Sequence, residues 1–155
     1  MRRLFSTLLV LLTATTVSAA QWQYENAGTP IAYFDNGAAQ FQFACRGGDF
    51  AMGYWVRAPH RTVAGAKSLH LSITPDSAAT SFAQDIPLIH SDGTSMIIRG
   101  PVAQQWARIA QRAKAVIRVA YVRKQASGGL EVFDSNAFGA MGSSAAISRV
   151  LDRCG

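Results

Sequence analysis

The chain has 155 residues, of which 49% are apolar and 15% are charged, and it carries two cysteines and a formal net charge of +6. The apolar fraction excludes a disordered chain, the absence of heptads excludes a coiled coil, and the glycine and proline counts exclude collagen-like or linker sequence. The composition therefore predicts one small globular domain.

The first twenty residues have the pattern of an export signal. Arg2 and Arg3 precede an apolar run over residues 4–17, and the small residues that follow suit cleavage after Ala19 or Ala20 equally well. The run is shorter than the roughly 20 residues that cross a bilayer as a helix. It is therefore interpreted as a signal and not as an anchor.

The predicted mature chain is a single secreted globular domain over residues 21–155, after a signal peptide over residues 1–20. Two of the fifteen basic residues belong to the signal, so the mature chain keeps 13 basic and 9 acidic side chains and a net charge of +4. No second apolar run of bilayer length follows. We therefore expect a periplasmic or secreted protein with no transmembrane segment in the mature chain.

Apolar and polar residues alternate from residue 21 to residue 99, which is typical of antiparallel strands. Turn sequences rich in Gly, Asp, Asn and Ser divide the strands at residues 35–37, 46–49, 91–93 and 127–129. Asn-Gly and related pairs readily adopt the positive φ angles of tight hairpin turns. The pattern predicts four hairpins within a meander of about eight short strands.

Two segments near the C-terminus have helical spacing instead. Residues 101–114 repeat apolar side chains at Val102, Trp106, Ile109 and Ala113, and proline suits a first helical position. Ser143 or Ser144 can cap a second helix that ends near Arg153, and residues 59–66 are expected to form a loop. The predicted fold class is mainly β (α+β), an antiparallel β-sandwich-like meander with two covering helices near the C-terminus.

The two cysteines are predicted to form a disulfide. Strand alternation places Cys45 on the face of Phe41 and Phe43, and helical spacing places Cys154 on the stripe of Ile147, so both thiols point toward the core. Two such thiols in an oxidising compartment pair readily. The alternative, a catalytic thiol at Cys45, would need an adjacent base and partial exposure.

No catalytic residue, metal site or cofactor is predicted. His60, His70 and His90 are the three histidines, and their spacing matches no local metal motif, which leaves only a three-histidine site built across strands. The segment His90-Ser91-Asp92 has the residue types of a hydrolytic triad, but adjacent residues cannot form the required relay, and the segment fits a turn.

Positive charge is concentrated between residues 99 and 124, where seven basic residues and no acidic residue occur. Arg108 and Arg112 lie one helical turn apart and away from the apolar stripe, so they predict an exposed basic ridge, and Arg118 follows in the next strand. Basic residues late in a helix also complement its dipole, which is the purely structural alternative. Outside the cytoplasm the expected partners are an anionic cell-wall component or an envelope protein, and not nucleic acid.

A second candidate binding surface combines Trp55 and Arg57. Strand alternation places both on the face opposite Phe50, Met52, Tyr54 and Val56. Exposed tryptophan and arginine are typical of interface anchors. The alternative is that one of the helices covers Trp55.

The end of the chain resembles a known family. A strand over residues 115–123, a small polar turn and a strand ending near Phe133 are followed by Phe138, Gly142, Ala146-Ile147, Leu151 and Cys154-Gly155. With Trp22 near the mature N-terminus and Cys45 late in an early strand, this layout resembles the VasI/TagO-like periplasmic accessory proteins associated with type VI secretion. The resemblance implies a binding or assembly accessory protein, and it transfers no catalytic residue.

The sequence thus favours a non-enzymatic envelope protein that binds an anionic partner through the basic helix. Two alternatives belong to other classes. A structural subunit of a larger envelope complex would show an exposed apolar patch. A cell-wall or peptide hydrolase would need a cleft in which His60, His70 or His90 meets a carboxylate or hydroxyl, with three such side chains within hydrogen-bonding reach.

Overall fold

The structure is a computed structural model that describes residues 20–154, except for the side chains of Gln84 and Asp85. The predicted signal peptide falls on residues outside this range, so it stays a prediction. No helix among the described residues is long and apolar enough to span a bilayer.

Half of the described residues are in strands, and the class of mainly antiparallel β with helices near the C-terminus is confirmed. In chain order the elements are β1 (Gln23–Asn26), β2 (Pro30–Asp35), β3 (Ala39–Arg46), β4 (Asp49–Val56), α1 (Arg61–Ala64), β5 (Ser68–Pro75), β6 (Ser81–His90), β7 (Thr94–Arg99), α2 (Pro101–Arg112), β8 (Val116–Lys124), β9 (Leu130–Gly139) and α3 (Ser143–Cys154). The short helix α1 lies in the segment that was expected to be a loop.

The strands form one sheet in the order β1-β2-β3-β4-β7-β6-β5-β8-β9, and every neighbouring pair is antiparallel. The four predicted hairpins are confirmed as β2–β3, β3–β4, β6–β7 and β8–β9. The order departs from a meander twice, because β4 connects to β5 past β7 and β6, and β7 connects to β8 past β6 and β5. The helices α1 and α2 lie on these two long connections.

The sheet curls into a half-barrel instead of two flat layers. Its last strand comes back to the N-terminal part of the sheet, since Trp22, which directly precedes β1, donates a hydrogen bond from Nε1 to the Gly139 backbone oxygen at 2.9 Å. Asn36 Nδ2 similarly donates to the Ala137 oxygen at 3.2 Å, and the Phe34 and Phe138 rings lie 5.7 Å apart between centroids. These contacts cover part of the exposed edge of β9, where an unpaired strand would otherwise be open to other chains.

Helices α2 and α3 pack on the concave side of the sheet against β2, β3, β4 and β7. The buried face of α2 consists of Ala103, Trp106, Ala107 and Ala110, so the predicted stripe was right for Trp106 but wrong for Val102, which is 41% exposed. Small alanines allow a helix to approach its neighbours closely. Ser143, buried at the start of α3, donates to the Ala110 oxygen at 3.1 Å, so its hydroxyl joins the two helices.

The disulfide between Cys45 and Cys154 is confirmed, with their Cα atoms 5.4 Å apart. It joins the end of β3 to the end of α3, and both cysteines pack against the edge of the core. A sulfur held in a disulfide cannot serve as a nucleophile, so the alternative of a catalytic Cys45 thiol is wrong for this state of the chain.

Candidate functional site

The basic ridge of α2 consists of Arg108 and Arg112, and both side chains are exposed. Arg112 Nε donates to the Arg108 backbone oxygen at 3.2 Å, which orders the second guanidinium along the helix. Among the side chains that the structure describes, the ion pairs are Arg57–Asp35 and Arg123–Glu131, so neither ridge arginine has a carboxylate within 4.0 Å. The ridge therefore presents two positive charges that are not held in ion pairs with the described carboxylates.

A groove of about 450 Å³ separates α2 from α3 beside this ridge. Gln111 Nε2 donates to the Ser148 hydroxyl at 2.9 Å, and Phe50 lines the groove together with Cys154. Arg108 and Asp152 also line it. The Asp152 carboxylate disfavours a purely anionic ligand inside the groove, so recognition of an anion is best assigned to the exposed ridge.

The end of the ridge is held in place by Asp76 in the turn after β5. Its carboxylate accepts hydrogen bonds from three successive backbone N–H groups, those of Lys114 at 2.9 Å, Ala115 at 2.8 Å and Val116 at 2.9 Å. The hydrogen bonds from Lys114, Val116 and Ala115 hold the pKa of Asp76 below its usual value. Asp76 thus fixes the junction between α2 and β8, and the sequence analysis missed it.

Arg118 lies elsewhere, on the outer, convex face of the sheet. It lines a groove of about 230 Å³ with Ser72, Ala120 and the exposed apolar residues Phe82, Leu130 and Val132. Arg108 and Arg112 line other grooves, formed by the helices and the turn after β5. The predicted basic segment is therefore divided between two surfaces of the molecule.

Trp55 and Arg57 are brought together on the outer face of β4. The Arg57 guanidinium carbon lies 4.7 Å from the centre of the indole, and its nitrogens donate to Asp35 Oδ2 and to the Gly37 oxygen, each at 2.9 Å. Trp55 Nε1 donates to the Asp92 oxygen at 3.1 Å. Because α2 and α3 pack on the opposite face of β4, the alternative that a helix covers Trp55 is wrong.

The three histidines lie in separate places and two of them have local structural contacts. His60 stacks on Phe133 with the ring centres 5.2 Å apart, and its Nδ1 accepts from the Thr62 N–H at 3.2 Å. His90 Nε2 donates to the Ala66 backbone oxygen at 2.9 Å. The Nδ1 of the neutral ring then accepts a hydrogen bond from the Thr94 hydroxyl at 3.0 Å. Within the described part of the chain, no three His, Cys, Asp or Glu side chains are placed to hold a metal ion.

A buried polar network where the curled sheet closes was also missed by the sequence analysis. The Tyr54 hydroxyl donates to the backbone oxygen of Asp134 and accepts from Asn136 Nδ2 at 2.8 Å. The Tyr121 hydroxyl donates to the backbone oxygen of Thr94 at 2.9 Å. Burial raises the pKa of both phenols. The hydroxyls are engaged with backbone and amide groups, so this network serves the closure of the sheet.

Comparison with known proteins defines the fold. No family model matches the chain, and no curated protein matches its sequence. The structure is similar to the crystal structure of invasion associated protein B from Bartonella henselae, with 10% sequence identity and a TM-score of 0.53, over 90% of this chain and 98% of that chain. At this identity the similarity shows a shared fold alone.

Proposed function

We propose that this chain is a non-enzymatic accessory protein of the bacterial envelope, which binds an anionic partner through the basic ridge of α2. The observation that carries the proposal is the pair of exposed guanidinium groups of Arg108 and Arg112, neither of which forms an ion pair with a described carboxylate. Arginine forms forked hydrogen bonds with carboxylate and phosphate groups, which occur on cell-wall components and acidic envelope proteins.

Four further observations support the compartment and the accessory role. The Cys45–Cys154 disulfide is typical of oxidising compartments outside the cytoplasm, and the N-terminal sequence has the pattern of an export signal. The structural neighbour is named for an association with invasion. The resemblance of the C-terminal sequence to VasI/TagO-like proteins supports a proposed role as an accessory factor of secretion or envelope assembly.

The test is binding of the mature chain after charge reversal at the ridge. The double variant Arg108→Glu, Arg112→Glu is compared with the control Lys67→Glu, Lys124→Glu, which changes the net charge equally on exposed residues that line neither the grooves beside the ridge nor the groove around Arg118. Binding is measured by co-sedimentation with isolated peptidoglycan sacculi and by capture from envelope extract. We expect the ridge variant to lose about tenfold or more in binding to one of these partners, and the control to retain it.

The thermal midpoint of both variants should stay close to that of the wild type, because all four side chains are exposed. Equal binding by wild type and ridge variant would contradict the proposal. The alternative of a structural subunit is favoured by the exposed apolar groove around Arg118. Sedimentation velocity on the same preparations distinguishes it, since a subunit would associate stably whether or not the ridge is reversed.

A further inference from the structure

A slot lies beside the Trp55 indole on the outer face of the sheet. In the strand register, Trp55 is opposite Gln40 of β3 and Ser95 of β7, while Gly53 is opposite Gln42 and Ile97. Residues two apart on a strand point to the same face, so the missing side chain of Gly53 leaves room beside the ring, part of which the Gln42 side chain occupies. The slot has a volume of about 330 Å³.

Arg57 covers the Trp55 indole on one side, and the slot lies on the side of Gly53. The Arg57 guanidinium, two residues after Trp55, stacks on one face, whereas the position two residues before is Gly53. In agreement, Trp55 and Gly53 line the slot, and Arg57 lines a different cleft. The indole N–H donates a hydrogen bond to the backbone oxygen of Asp92, so the orientation of the ring is fixed in the unbound protein. Such preorganisation lowers the entropic cost of binding a ligand.

The walls of the slot are polar and uncharged. Gln40 Nε2 donates to Gln42 Oε1 at 3.3 Å, and these two amides leave further donors and acceptors free for a ligand. Ser95 adds a hydroxyl, and Ile97 adds an apolar surface. A ligand that fits has a ring with an apolar face for the indole, polar groups around its edge for the amides, and no net charge.

We propose that this slot binds a β-linked N-acetylglucosamine oligosaccharide, with one pyranose ring stacked on Trp55. The axial C–H groups of such a ring form an apolar face, and its hydroxyl and acetamido groups can bond with Gln40 and Gln42, with the acetamido methyl against Ile97. The site is independent of the basic ridge on α2, because it uses other residues and takes an uncharged ligand.

The test is a titration of the mature chain with N,N′,N″-triacetylchitotriose, followed by the three indole N–H signals in a heteronuclear NMR spectrum. We expect the Trp55 signal to shift in a saturable manner, and the signals of the buried Trp22 and Trp106 to stay in place. Cellotriose, which has the same linkage without acetamido groups, should bind several-fold more weakly. The Arg108→Glu, Arg112→Glu variant should bind the trisaccharide normally, which separates this proposal from the proposed function.

The variant Gly53→Val fills the slot without changing Trp55. A Cβ at this position would lie 3.0 Å from Gln42 Nε2 and 3.1 Å from Gln42 Cγ, so valine also displaces the Gln42 side chain, which is itself a wall of the slot. We expect at least about tenfold weaker binding, whereas Ala137→Val, at an exposed position of β9, should bind like the wild type. Unchanged Trp22 and Trp106 signals report that the variants are folded, and Gln42→Leu provides a second variant with an expected several-fold loss.

Two results would overturn the proposal. One is a Trp55 signal that does not move at any trisaccharide concentration in the folded wild type. The other is an equal titration of the wild type and Gly53→Val, because the ligand would then bind outside the slot.

Discussion

Asp76 is the single side chain that secures the junction between the basic helix and the sheet. Its backbone has a positive φ of 48°, and its carboxylate binds the backbone N–H groups of residues 114–116. Since its pKa in the folded chain lies below the usual 3.8, its contribution to stability is fully present above pH 3.8 and is lost as the pH falls through the folded pKa.

We therefore predict that Asp76→Asn lowers the thermal midpoint at pH 7, and that its difference from the wild type narrows as the pH falls below 3.8. Asparagine tolerates the positive φ, so the variant tests the charge and the lost acceptor. Asp92→Asn is the matched control, with a φ of 50° and, among the described residues, no hydrogen bond accepted by its carboxylate. A constant difference between wild type and Asp76→Asn from pH 7 to pH 2 would contradict the prediction.

Residue roles that depend on local periodicity could be predicted from the sequence, and roles that depend on distant backbone could not. Alternation along β4 correctly placed Trp55 and Arg57 together on the outer face. The pairing of Cys45 with Cys154 followed from burial and redox chemistry, which need no knowledge of the route between them. The role of Asp76 could not be predicted because its hydrogen-bond partners lie 38 to 40 residues further along the chain, and no local sequence motif indicates such a contact.

At the scale of elements, the β6–β7 hairpin depends on a close approach at Gly93. The residue has a φ of +120°, and a Cβ there would overlap the Val56 carbonyl oxygen and lie 2.8 Å from Trp55 Nε1. Gly37, in the β2–β3 hairpin, also has a positive φ of +90° but has nothing within 4 Å of its Cβ position. The two turns therefore differ in steric demand, although both require glycine-like backbone.

We predict that Gly37→Ala lowers the free energy of unfolding by about 1–2 kcal/mol, from backbone strain alone. Gly93→Ala should lower it by about 3 kcal/mol or more, because the methyl group also displaces β4 and the indole. Urea unfolding measures both values, and tryptophan emission should shift to longer wavelength only in Gly93→Ala. Equal losses in the two variants would show that the close approach to Trp55 has no energetic effect.

Element types were easier to predict than element faces and order. Both long helices and all four hairpins follow from local spacing and turn residues. The buried face of α2 was predicted wrongly at Val102, because alanine contributes little to an apolar pattern. In the structure, Ala103, Ala107 and Ala110 form that face, since their small side chains permit close packing. The sheet order could not be predicted, because turn signals identify hairpins but do not fix where β5 and β8 are inserted.

At the scale of the whole molecule, the insertion of β5 and β8 into the sheet separates the basic residues 99–124, which are neighbours in the sequence, onto two surfaces. Because α2 crosses from β7 to β8 over the concave side, Arg108 and Arg112 lie with the helices, while Arg118 faces outward from β8. A contiguous basic segment thus becomes an exposed ridge on one surface and a cation in an apolar groove on another. The concave side is closed at the chain's end by α3, which the disulfide fastens to β3.

The disulfide is therefore expected to govern the stability of the whole fold. It closes a loop with a sequence separation of 109 residues, and the chain-entropy model assigns about 4–5 kcal/mol to a loop of this size. The double variant Cys45→Ala, Cys154→Ala should lose this amount in the free energy of unfolding, measured with urea at pH 7. Hydrogen exchange should increase most in α3, because its last turn loses its attachment to β3.

Reduction of the wild type should reproduce the variant's unfolding curve, and the variant should not respond to reductant. A loss below about 1 kcal/mol would mean that the packing of α3 on β2 and β3 alone holds the helix.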